Sequence, residues 1–568
     1  MKSTRLSIIL LAASALLWAD TAPTPPQYYD PSRILEDPAK KPDLPSKKEP
    51  KETQVDAIQL DRNASGVGEN RLQDAPSFVL QNLSINGNTV LQRQEIIDVA
   101  KPYVGQTVDS KALQELAAKI TDLYVKKGYV TSRCIIPAQK VTNGTVRLDI
   151  IEDKLGRILL SGKRAYMYDQ RIFSKYLQEL QGKPIHLATL NRQLSLLTRL
   201  PVARVTPKLV KSTADFTDLI LEITDFDEKS FVSFDNEGSR FIDTYRLMAG
   251  TSLNNLTGRG DTLGISLTTA LRSTKYQHAI EGSYVAPAGT RGGKVTVTLS
   301  ASRYMLDPDK VGSDLIIYEG KSFLASFLYE EPVMLFDNLN LWWLAGFEYK
   351  TINSQTVQNS TGDLLVDGLD KYATGQLGGR LDFTDRYGGY NLVSVMLKKH
   401  FEGLLGAMTQ EELNRKEADE TFPITGPIRY GKNMDPTFYK IYLSALRQQA
   451  LAYEIIGQVA ISGEYTPTRA PEGYRYTGGD NGDYGYNYSL SLRRKLGFDW
   501  LWGVVSYSGA TSYQYDLELK TKTVSSSTVG LGLYANYSNF FASINYSQNV
   551  ELYENNLENI KFRVGYSW

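Results

Sequence analysis

The chain has 568 residues, enough for several domains, and its 63 Lys and Arg residues balance its 63 Asp and Glu residues. This neutral balance gives no reason to expect nucleic acid or another strongly charged partner. The mean hydropathy is -0.30, and beyond the N-terminus no run of about 18 apolar residues predicts a membrane-spanning helix.

The N-terminus has the layout of a secretory signal peptide. Lys2 and Arg5 precede an apolar stretch, and Ala19 supplies a small residue directly before Asp20. We therefore predict that residues 1–19 are a signal peptide that is removed on export. The alternative, a buried N-terminal helix, explains neither the basic start nor the small residue at the exit.

Residues 20–75 are rich in Pro, Lys, Asp and Glu, as in the stretch "TAPTPPQYYDPSRILEDPAKKPDLPSKKEPKE". Such a segment buries too little apolar surface to offset the entropy lost on ordering, so we expect a mobile linker. The one helical candidate within it is the short stretch "PSRILED".

An internal repeat follows the linker. Residues 76–152 and 153–227 each read strand, helix, helix, strand, strand, which predicts two small α+β domains with two helices covering one sheet face. Gly128 is expected to stop the second helix of the first copy, and Pro201 that of the second. The predicted apolar helix faces are Leu113, Leu116, Ala117, Ile120 and Tyr124 in the first copy, and Leu190, Leu194 and Leu197 in the second.

Residues 228–568 alternate between apolar and polar side chains, as in "DTLGISLTTAL", "GKVTVTLSAS" and "YGYNYSLSLRR". Period two predicts β-strands with one apolar and one polar face. Many segments of about ten residues, separated by Gly, Asp and Asn, are typical of an outer-membrane barrel. We predict an all-β transmembrane antiparallel barrel of about sixteen strands. The alternative, a soluble β-sandwich with one wet face, gives no reason for the aromatic C-terminus.

The chain ends on the strand "NIKFRVGYSW", whose apolar face includes Phe562, Tyr566 and Trp568. In lipid every backbone polar group must be paired, so a membrane sheet has to close on itself. We expect this strand to pair with the first barrel strand, with the three aromatic residues as the closing signal and Trp568 at headgroup level. Lys561 and Arg563 are then expected to point into a wet lumen.

Catalytic, cofactor and metal chemistry finds little support, and we expect the protein not to be an enzyme. The three histidines, His186, His278 and His400, do not form HExxH or a similar metal-binding spacing, and no Gly-rich phosphate loop follows a strand. His186 is expected to start a helix of the second repeat. Cys134, the only cysteine, lies in the apolar stretch "SRCIIP" and is expected to be a core residue.

The chain resembles the outer-membrane transporters of two-partner secretion, the haemolysin secretion/activation type within the POTRA-barrel superfamily. The stretch "GYVTSRCIIPAQKVTNGTVRLDIIED" is similar to the end of that family's first repeat, with Pro137, Gln139, Gly144 and Glu152 at matching places. "FDNEGSR" followed by "LNNLTGRGDTL" is similar to its first barrel strands and turn. We expect the Arg259-Gly260-Asp261 tripeptide to be a strand-connecting turn rather than an adhesion signal.

The resemblance implies a location in the outer membrane of a Gram-negative cell, with two POTRA domains in the periplasm. These domains would receive an unfolded secreted exoprotein by adding its strands to a sheet edge, and the barrel would conduct it outward without nucleotide. It also implies contacts with outer-membrane lipid and with the barrel assembly machinery, and makes "DPSRILED" a candidate plug helix. The alternative is an assembly or insertion factor of the same superfamily. A diffusion porin would leave the repeats without a role.

One departure from the family concerns the loop between its eleventh and twelfth strands. There the family carries a Val-Arg-Gly-Tyr-like tetrad, whose arginine pairs with an aspartate on the next strand. The tetrad is missing from "TPTRAPEGYRYTGGDNGDYGYN", and Ser508, followed by Gly509, stands where the acid would be. We expect the loop to be shorter, looser or anchored differently. The residues assigned to this lumenal loop are Gly478, Gly479, Asp480, Asn481, Gly482, Asp483 and Gly485.

Overall fold

The computed structural model describes residues 58–60 and 77–568, apart from gaps at 164, 198–202, 226–228, 240, 273–275, 290, 312–314, 337, 415–423, 430–433, 477–481, 516–519 and 551–558. The predicted signal peptide, the candidate plug helix and Pro201 lie outside these residues. Within the described ranges, no helix has the length and apolar character needed to cross a membrane.

The first α+β unit follows the predicted order of elements. Asp109 caps the longer helix by accepting a hydrogen bond from the Ala112 amide at 2.7 Å. Gly128 follows the helix with φ +91°, a conformation that glycine adopts without steric cost. The elements are β2 (Phe78–Val79), β3 (Asn82–Asn86), α1 (Arg93–Ala100), β4 (Thr107–Val108), α2 (Ser110–Lys126), β5 (Arg133–Ile135) and β6 (Thr145–Ile151). The strands pair in the order β3-β6-β5, with a separate β2-β4 ladder.

The core of this unit contains the predicted helix face. Leu116, Ile120 and Tyr124 of α2 are fully buried against the sheet, and Cys134 is buried with them. Burial raises the pKa of the Cys134 thiol to about 12, because a thiolate is poorly solvated in an apolar core. Cys134 is therefore a core residue.

The second α+β unit repeats the order with one addition. Its sheet has the order β1-β8-β9-β7, in which β1 (Gln59–Leu60) runs parallel to β8. Ile58 packs against the core of this unit. Part of the segment predicted as a linker is thus ordered on a sheet edge. The other elements are β7 (Lys154–Ser161), α3 (Gln170–Leu177), α4 (Leu187–Leu197), β8 (Ala203–Lys211) and β9 (Phe216–Asp225).

The two units touch where α2 ends and α4 begins. The Leu187 amide donates to the Gly128 carbonyl at 2.9 Å, and the His186 ring lies edge-on against Tyr129 at 5.1 Å between centroids. His186 also caps α4, since its Nδ1 accepts from the Thr189 amide at 3.3 Å. Its place at a helix start follows the prediction from sequence.

Sixteen strands form a closed antiparallel barrel, as predicted, and a short extra strand, β19 (Ile424–Gly426), pairs parallel to β17 inside a loop. The barrel strands are β10 (Lys229–Asp235), β11 (Arg246–Asn254), β12 (Thr262–Ala270), β13 (Gln277–Ala288), β14 (Gly293–Met305), β15 (Ile316–Leu335), β16 (Leu339–Gln358), β17 (Leu364–Thr384), β18 (Tyr390–His400), β20 (Tyr439–Ala450), β21 (Ile456–Tyr465), β22 (Tyr484–Lys495), β23 (Leu501–Tyr515), β24 (Thr521–Tyr537), β25 (Phe540–Asn549) and β26 (Asn559–Ser567). Two short helices, α5 (Pro308–Val311) and α6 (Gln410–Asn414), lie in loops.

The barrel wall has an apolar outside and a polar inside. Leu267, Val395 and Leu531 are exposed on its outer face, while Glu348 and Lys440 lie among the inward side chains. This alternation is the one that lipid outside and a polar lumen inside require. The Arg259-Gly260-Asp261 tripeptide lies in the turn between β11 and β12, as predicted, where the Asn255 amide donates to the Asp261 carbonyl at 2.6 Å.

Candidate functional site

The barrel closes where its last strand meets its first. Residues 231–235 of β10 pair with residues 563–567 of β26 in an antiparallel ladder. Ser230 and Trp568 extend the ladder by exchanging two backbone hydrogen bonds of 2.9 Å. The C-terminal residue is therefore paired, and no sheet edge is left open at this seam.

A buried ion cluster lies on the inner side of the seam. Asp235, which is 0% exposed, accepts from Arg246 at 3.0 Å and from Arg563 at 3.2 Å, and the two arginines are 2% and 4% exposed. Arg563 also donates to Glu237 at 2.5 Å. Arg563 faces inward, as expected, but it is buried in this cluster rather than in water. The cluster ties β26, β10 and β11 together, because separating its members would leave buried charges unpaired.

The aromatic residues predicted as the closing signal lie on the outer side of the seam. The Phe562 ring packs against Phe234 at 5.6 Å between centroids. Tyr566 packs against Phe540 at 4.8 Å and stacks on Trp568 at 5.9 Å. Trp568 is exposed at the end of the strand, in the position where an indole can meet lipid headgroups.

Two loops enter the lumen at the end of the barrel opposite the α+β units. The long loop (residues 401–438) connects β18 to β20, and the tyrosine loop (residues 466–483) connects β21 to β22. Together they build an apolar cluster inside the barrel mouth, and a cluster of this kind excludes water. Its buried members are Ile352, Tyr372, Met408, Leu413, Met434, Phe438 and Tyr474.

The tip of the tyrosine loop is held by charged residues of the barrel wall. Lys350 of β16 donates to the Gly473 carbonyl at 3.1 Å, and Lys440 of β20 donates to the Tyr474 carbonyl at 2.5 Å. The Tyr474 hydroxyl donates to Glu348 Oε1 at 2.6 Å. Hydrogen bonds to charged groups are roughly twice as strong as neutral ones, so three of them fix this tip firmly.

Glu348 is the centre of this polar group. Its Oε2 accepts from Lys398 at 3.0 Å and from Gln376 at 3.1 Å, while Thr374 lies 3.0 Å from the Tyr474 hydroxyl. Neighbouring strands thus hold the carboxylate independently of the loop. An acceptor that is already held in place loses little entropy when a partner binds it.

Gly473 allows the loop to approach the wall closely. A Cβ at this position would lie 2.6 Å from the Tyr372 ring and 2.7 Å from Ile352. The Gly473 amide donates to the Tyr372 hydroxyl at 3.0 Å, and that hydroxyl donates in turn to Asp370. Asp370 also accepts from the Ile428 amide of the long loop at 2.8 Å. One wall carboxylate therefore connects both loops.

Asp483 makes a second connection between the loops. This fully buried carboxylate accepts from Arg429 of the long loop at 2.5 Å. It also accepts from the Ala470 amide at 2.7 Å and from the Tyr515 amide at 2.6 Å. The described part of the tyrosine loop is thus anchored by the barrel wall and by the long loop.

Of the other residues assigned to this loop from sequence, Gly482 and Gly485 lie in the described part of the chain. Gly482 exchanges backbone hydrogen bonds of 2.8 and 3.3 Å with Tyr476. At Gly485 a Cβ would lie 2.5 Å from the Tyr476 ring, so glycine makes room for that ring. Arg475 pairs within the loop, with Glu472 at 3.3 Å. Gly478, Gly479, Asp480 and Asn481 lie outside the part of the chain that the structure describes.

Ser508 and Gly509 of β23, which were predicted to face this loop, have contacts with neighbouring strands in the described part of the chain. Ser508 faces the lumen, and its hydroxyl lies 2.8 Å from that of Thr528 on the neighbouring strand. Gly509 lies on the outer face, where a Cβ would come within 2.5 Å of the Tyr488 hydroxyl. In the described ranges the structure brings neither residue to the loop tip.

Four charged residues of this site were not predicted from the sequence, namely Glu348, Lys350, Lys440 and Arg429. The first three are inward residues of ordinary alternating strands, and alternation alone cannot tell one lumenal charge from another. Arg429 follows a loop stretch without periodicity. No arrangement of His, Cys, Asp and Glu among the described residues suits a metal ion.

Two family models match parts of the chain. "POTRA domain, ShlB-type" matches residues 78–153, which contain the first α+β unit. "Haemolysin secretion/activation protein ShlB/FhaC/HecB" matches residues 226–324, which contain the first strands of the barrel and its first turn.

Curated relatives and solved structures agree with these matches. The chain is 30% identical over 200 residues to the heme/hemopexin transporter protein HuxB of Haemophilus influenzae strain 86-028NP, covering 34% of each chain. It is 23% identical over 201 residues to the outer membrane transporter CdiB of Dickeya dadantii, covering 35% of each. The matched part thus spans about a third of these relatives. The solved structure of CdiB from Escherichia coli superposes with a TM-score of 0.59 at 16% identity, covering 94% of this chain and 97% of that one.

Proposed function

Because the chain belongs to the POTRA-barrel outer-membrane transporters of the haemolysin secretion/activation type, we propose that it exports an unfolded partner protein. The partner would be received by the periplasmic POTRA domains, which are the two α+β units, and would pass through the barrel lumen to the cell surface. No nucleotide is needed in this scheme, since folding outside the cell can pull the chain outward.

The observation that carries the proposal is the strand added to the second POTRA sheet. Gln59 and Leu60 pair in parallel with Lys208 and Leu209 on the edge of β8, and Ile58 fills a place beside the core. An edge that accepts an extended segment of its own chain offers the same backbone groups to an extended segment of another. Residues 58–60 would leave this edge when the partner arrives.

The alternative function, insertion of barrel proteins or lipids into the membrane, requires a barrel whose seam opens laterally. The seam here carries a continuous ladder and the buried Asp235 cluster. Opening the seam would break that ladder and leave three buried charges exposed or unpaired, at a cost of several kcal/mol. The mouth, closed by side chains and loops, is the easier route, and this favours export through the lumen.

The proposal is tested by comparing secreted proteins of the source bacterium with and without this chain. We expect one large protein to disappear from the surface and the medium when the chain is deleted, and to return with the intact gene. Deleting residues 76–152 should leave a heat-modifiable barrel in the outer membrane while secretion stays abolished. An unchanged set of secreted proteins in the deletion strain would contradict export.

A second experiment tests the edge of β8. The pair Gln59→Cys and Lys208→Cys, placed at partnered positions, should form a disulfide that holds the segment on the edge. Secretion should fall under oxidation and recover with reductant, whereas each single cysteine should secrete normally. Full secretion by the oxidised pair would mean that the partner docks elsewhere.

A further inference from the structure

The turn that holds the Arg259-Gly260-Asp261 tripeptide lies against the second POTRA domain. Asn255 Nδ2 donates to the Met167 carbonyl at 3.1 Å, and the Asp169 amide donates to the Gly258 carbonyl at 2.8 Å. A Cβ on Gly258 would lie 3.0 Å from the Met167 carbonyl. The barrel turn and the short helix Ala165–Met167 are therefore in direct contact.

Both sides of this contact expose large apolar side chains. Tyr166 is 84% exposed and Met167 43% exposed, although Tyr168 beside them is buried in the domain core. On the barrel side, Leu256 is 57% exposed at the turn. Apolar residues that converge from two domains and stay uncovered mark a contact surface.

The position of the turn indicates what covers these residues. Leu253 and Leu263 form a cross-strand pair on the face that carries Leu247, Ile265 and Leu267, which is the lipid face of the barrel. The turn begins directly after this pair, so it lies at the periplasmic surface of the membrane. Tyrosine is favoured at that level, where its ring meets acyl chains and its hydroxyl meets water.

We propose that Tyr166, Met167 and Leu256 insert into the inner leaflet of the outer membrane and anchor the second POTRA domain to it. Lys163 and Arg259 are exposed beside them and would bind phosphate groups of the phospholipid headgroups. Apolar side chains flanked by cations are the usual composition of a surface that binds a lipid interface. The anchor holds the domain beneath the barrel at a fixed height.

Single cysteines at Tyr166 and Leu256, labelled with nitrobenzoxadiazole in the full chain, test this proposal. The native Cys134 is buried and its pKa is raised to about 12, so it stays unlabelled. In phosphatidylcholine nanodiscs, brominated acyl chains should quench both probes, and iodide in the buffer should quench them weakly. Phe216→Cys is the control, because Phe216 is also an exposed large side chain (39%, against 84% for Tyr166 and 57% for Leu256) but lies at the membrane-distal end of the second POTRA sheet.

Equal quenching of the probes at 166 and 216 by iodide, with no effect of brominated lipid, would overturn the anchor. Adding phosphatidylglycerol should shift the emission of the probe at 166 further to the blue, and Lys163→Glu combined with Arg259→Glu should remove that shift. The same emission in both lipids would overturn the role given to the two cations.

Discussion

The barrel is closed in two places, at the seam and at the mouth, and the two closures are built from different interactions. At the seam, backbone hydrogen bonds between β10 and β26 continue to the last residue. The buried ion cluster of Asp235, Arg246 and Arg563 adds to them on the inner side. At the mouth, the wall holds two loops through side chains, with Glu348 and Lys440 on the tip residue Tyr474.

Under the proposed function, the seam is the permanent closure and the mouth is the removable one. A ladder between strands in lipid cannot be given up without leaving polar backbone groups unpaired. The loops, in contrast, would exchange their hydrogen bonds for water on leaving the mouth. Each bond would then contribute only its net value, about 0.5–1.5 kcal/mol between neutral groups and about 1.5–3 kcal/mol to a charged group. Single substitutions or a short deletion can weaken either closure separately.

The largest effect is expected from removing the closing strand. Deleting Phe562 to Trp568 takes away the partner of β10 and the outward aromatic residues, so the barrel should not assemble. Heat-modifiable mobility on gels and the level of protein in outer-membrane fractions measure this. Trp568→Ala is the milder variant, because the rest of the apolar face still pairs, and normal membrane levels of the full truncation would contradict the role of the seam.

Asp235→Ala should weaken the seam without removing it. The change removes the buried carboxylate that both Arg246 and Arg563 contact, while Glu237 still contacts both arginines. Breaking a buried ion pair costs about 3–5 kcal/mol. The temperature at which the folded band disappears from gels should drop clearly. Glu319→Ala is the matched control, since its partner Arg303 is half exposed and the effect should be under about 1 kcal/mol. Equal shifts for both variants would contradict a structural role of the cluster.

Gly473→Ala should open the mouth and leave the seam intact. The added Cβ meets Tyr372 and Ile352, and overpacking of this kind costs about 1–3 kcal/mol. The loop can move away from the barrel wall, whereas the wall strands are held in the sheet. The strain should therefore appear as more frequent channel openings in planar bilayers. Gly282→Ala is the control, as a Cβ there meets nothing within 4 Å. A quiet Gly473→Ala channel with a normal thermal transition would mean that the loop tip has room to adjust.

The two closures also differ in how much of each could be predicted from the sequence. The seam was predictable for two reasons. The stretch "NIKFRVGYSW" alternates apolar and polar residues with period two, and the backbone polar groups of a strand in lipid must be paired. The partner of Arg563 was not predictable, since Asp235 lies more than three hundred residues earlier in the chain and only the register brings it near. At the mouth, the sequence showed only that the Val-Arg-Gly-Tyr-like tetrad was missing. The contacts of Glu348, Lys350 and Lys440 with the loop tip could not be predicted, because they depend on which inward residues share one level, and that is decided by barrel stagger.

The smallest expected effect comes from one hydroxyl group at the mouth. Tyr474→Phe keeps the ring in the apolar cluster but removes the hydrogen bond to Glu348, and a bond to a charged acceptor contributes about 1.5–3 kcal/mol. The ratio of open to closed channels in planar bilayers should rise about tenfold or more. Tyr486→Phe, on the outer face of the following strand, serves as the control and should leave the ratio unchanged.

A double-mutant cycle assigns that effect to Glu348. Glu348→Gln alone should also raise the open ratio, because Lys398 and the loop tip both lose the carboxylate. If the tyrosine acts through this carboxylate, adding Tyr474→Phe to Glu348→Gln should change the ratio much less than Tyr474→Phe does in the native background. Simple addition of the two effects would separate the hydroxyl from Glu348 and leave Thr374, 3.0 Å away, as its functional partner.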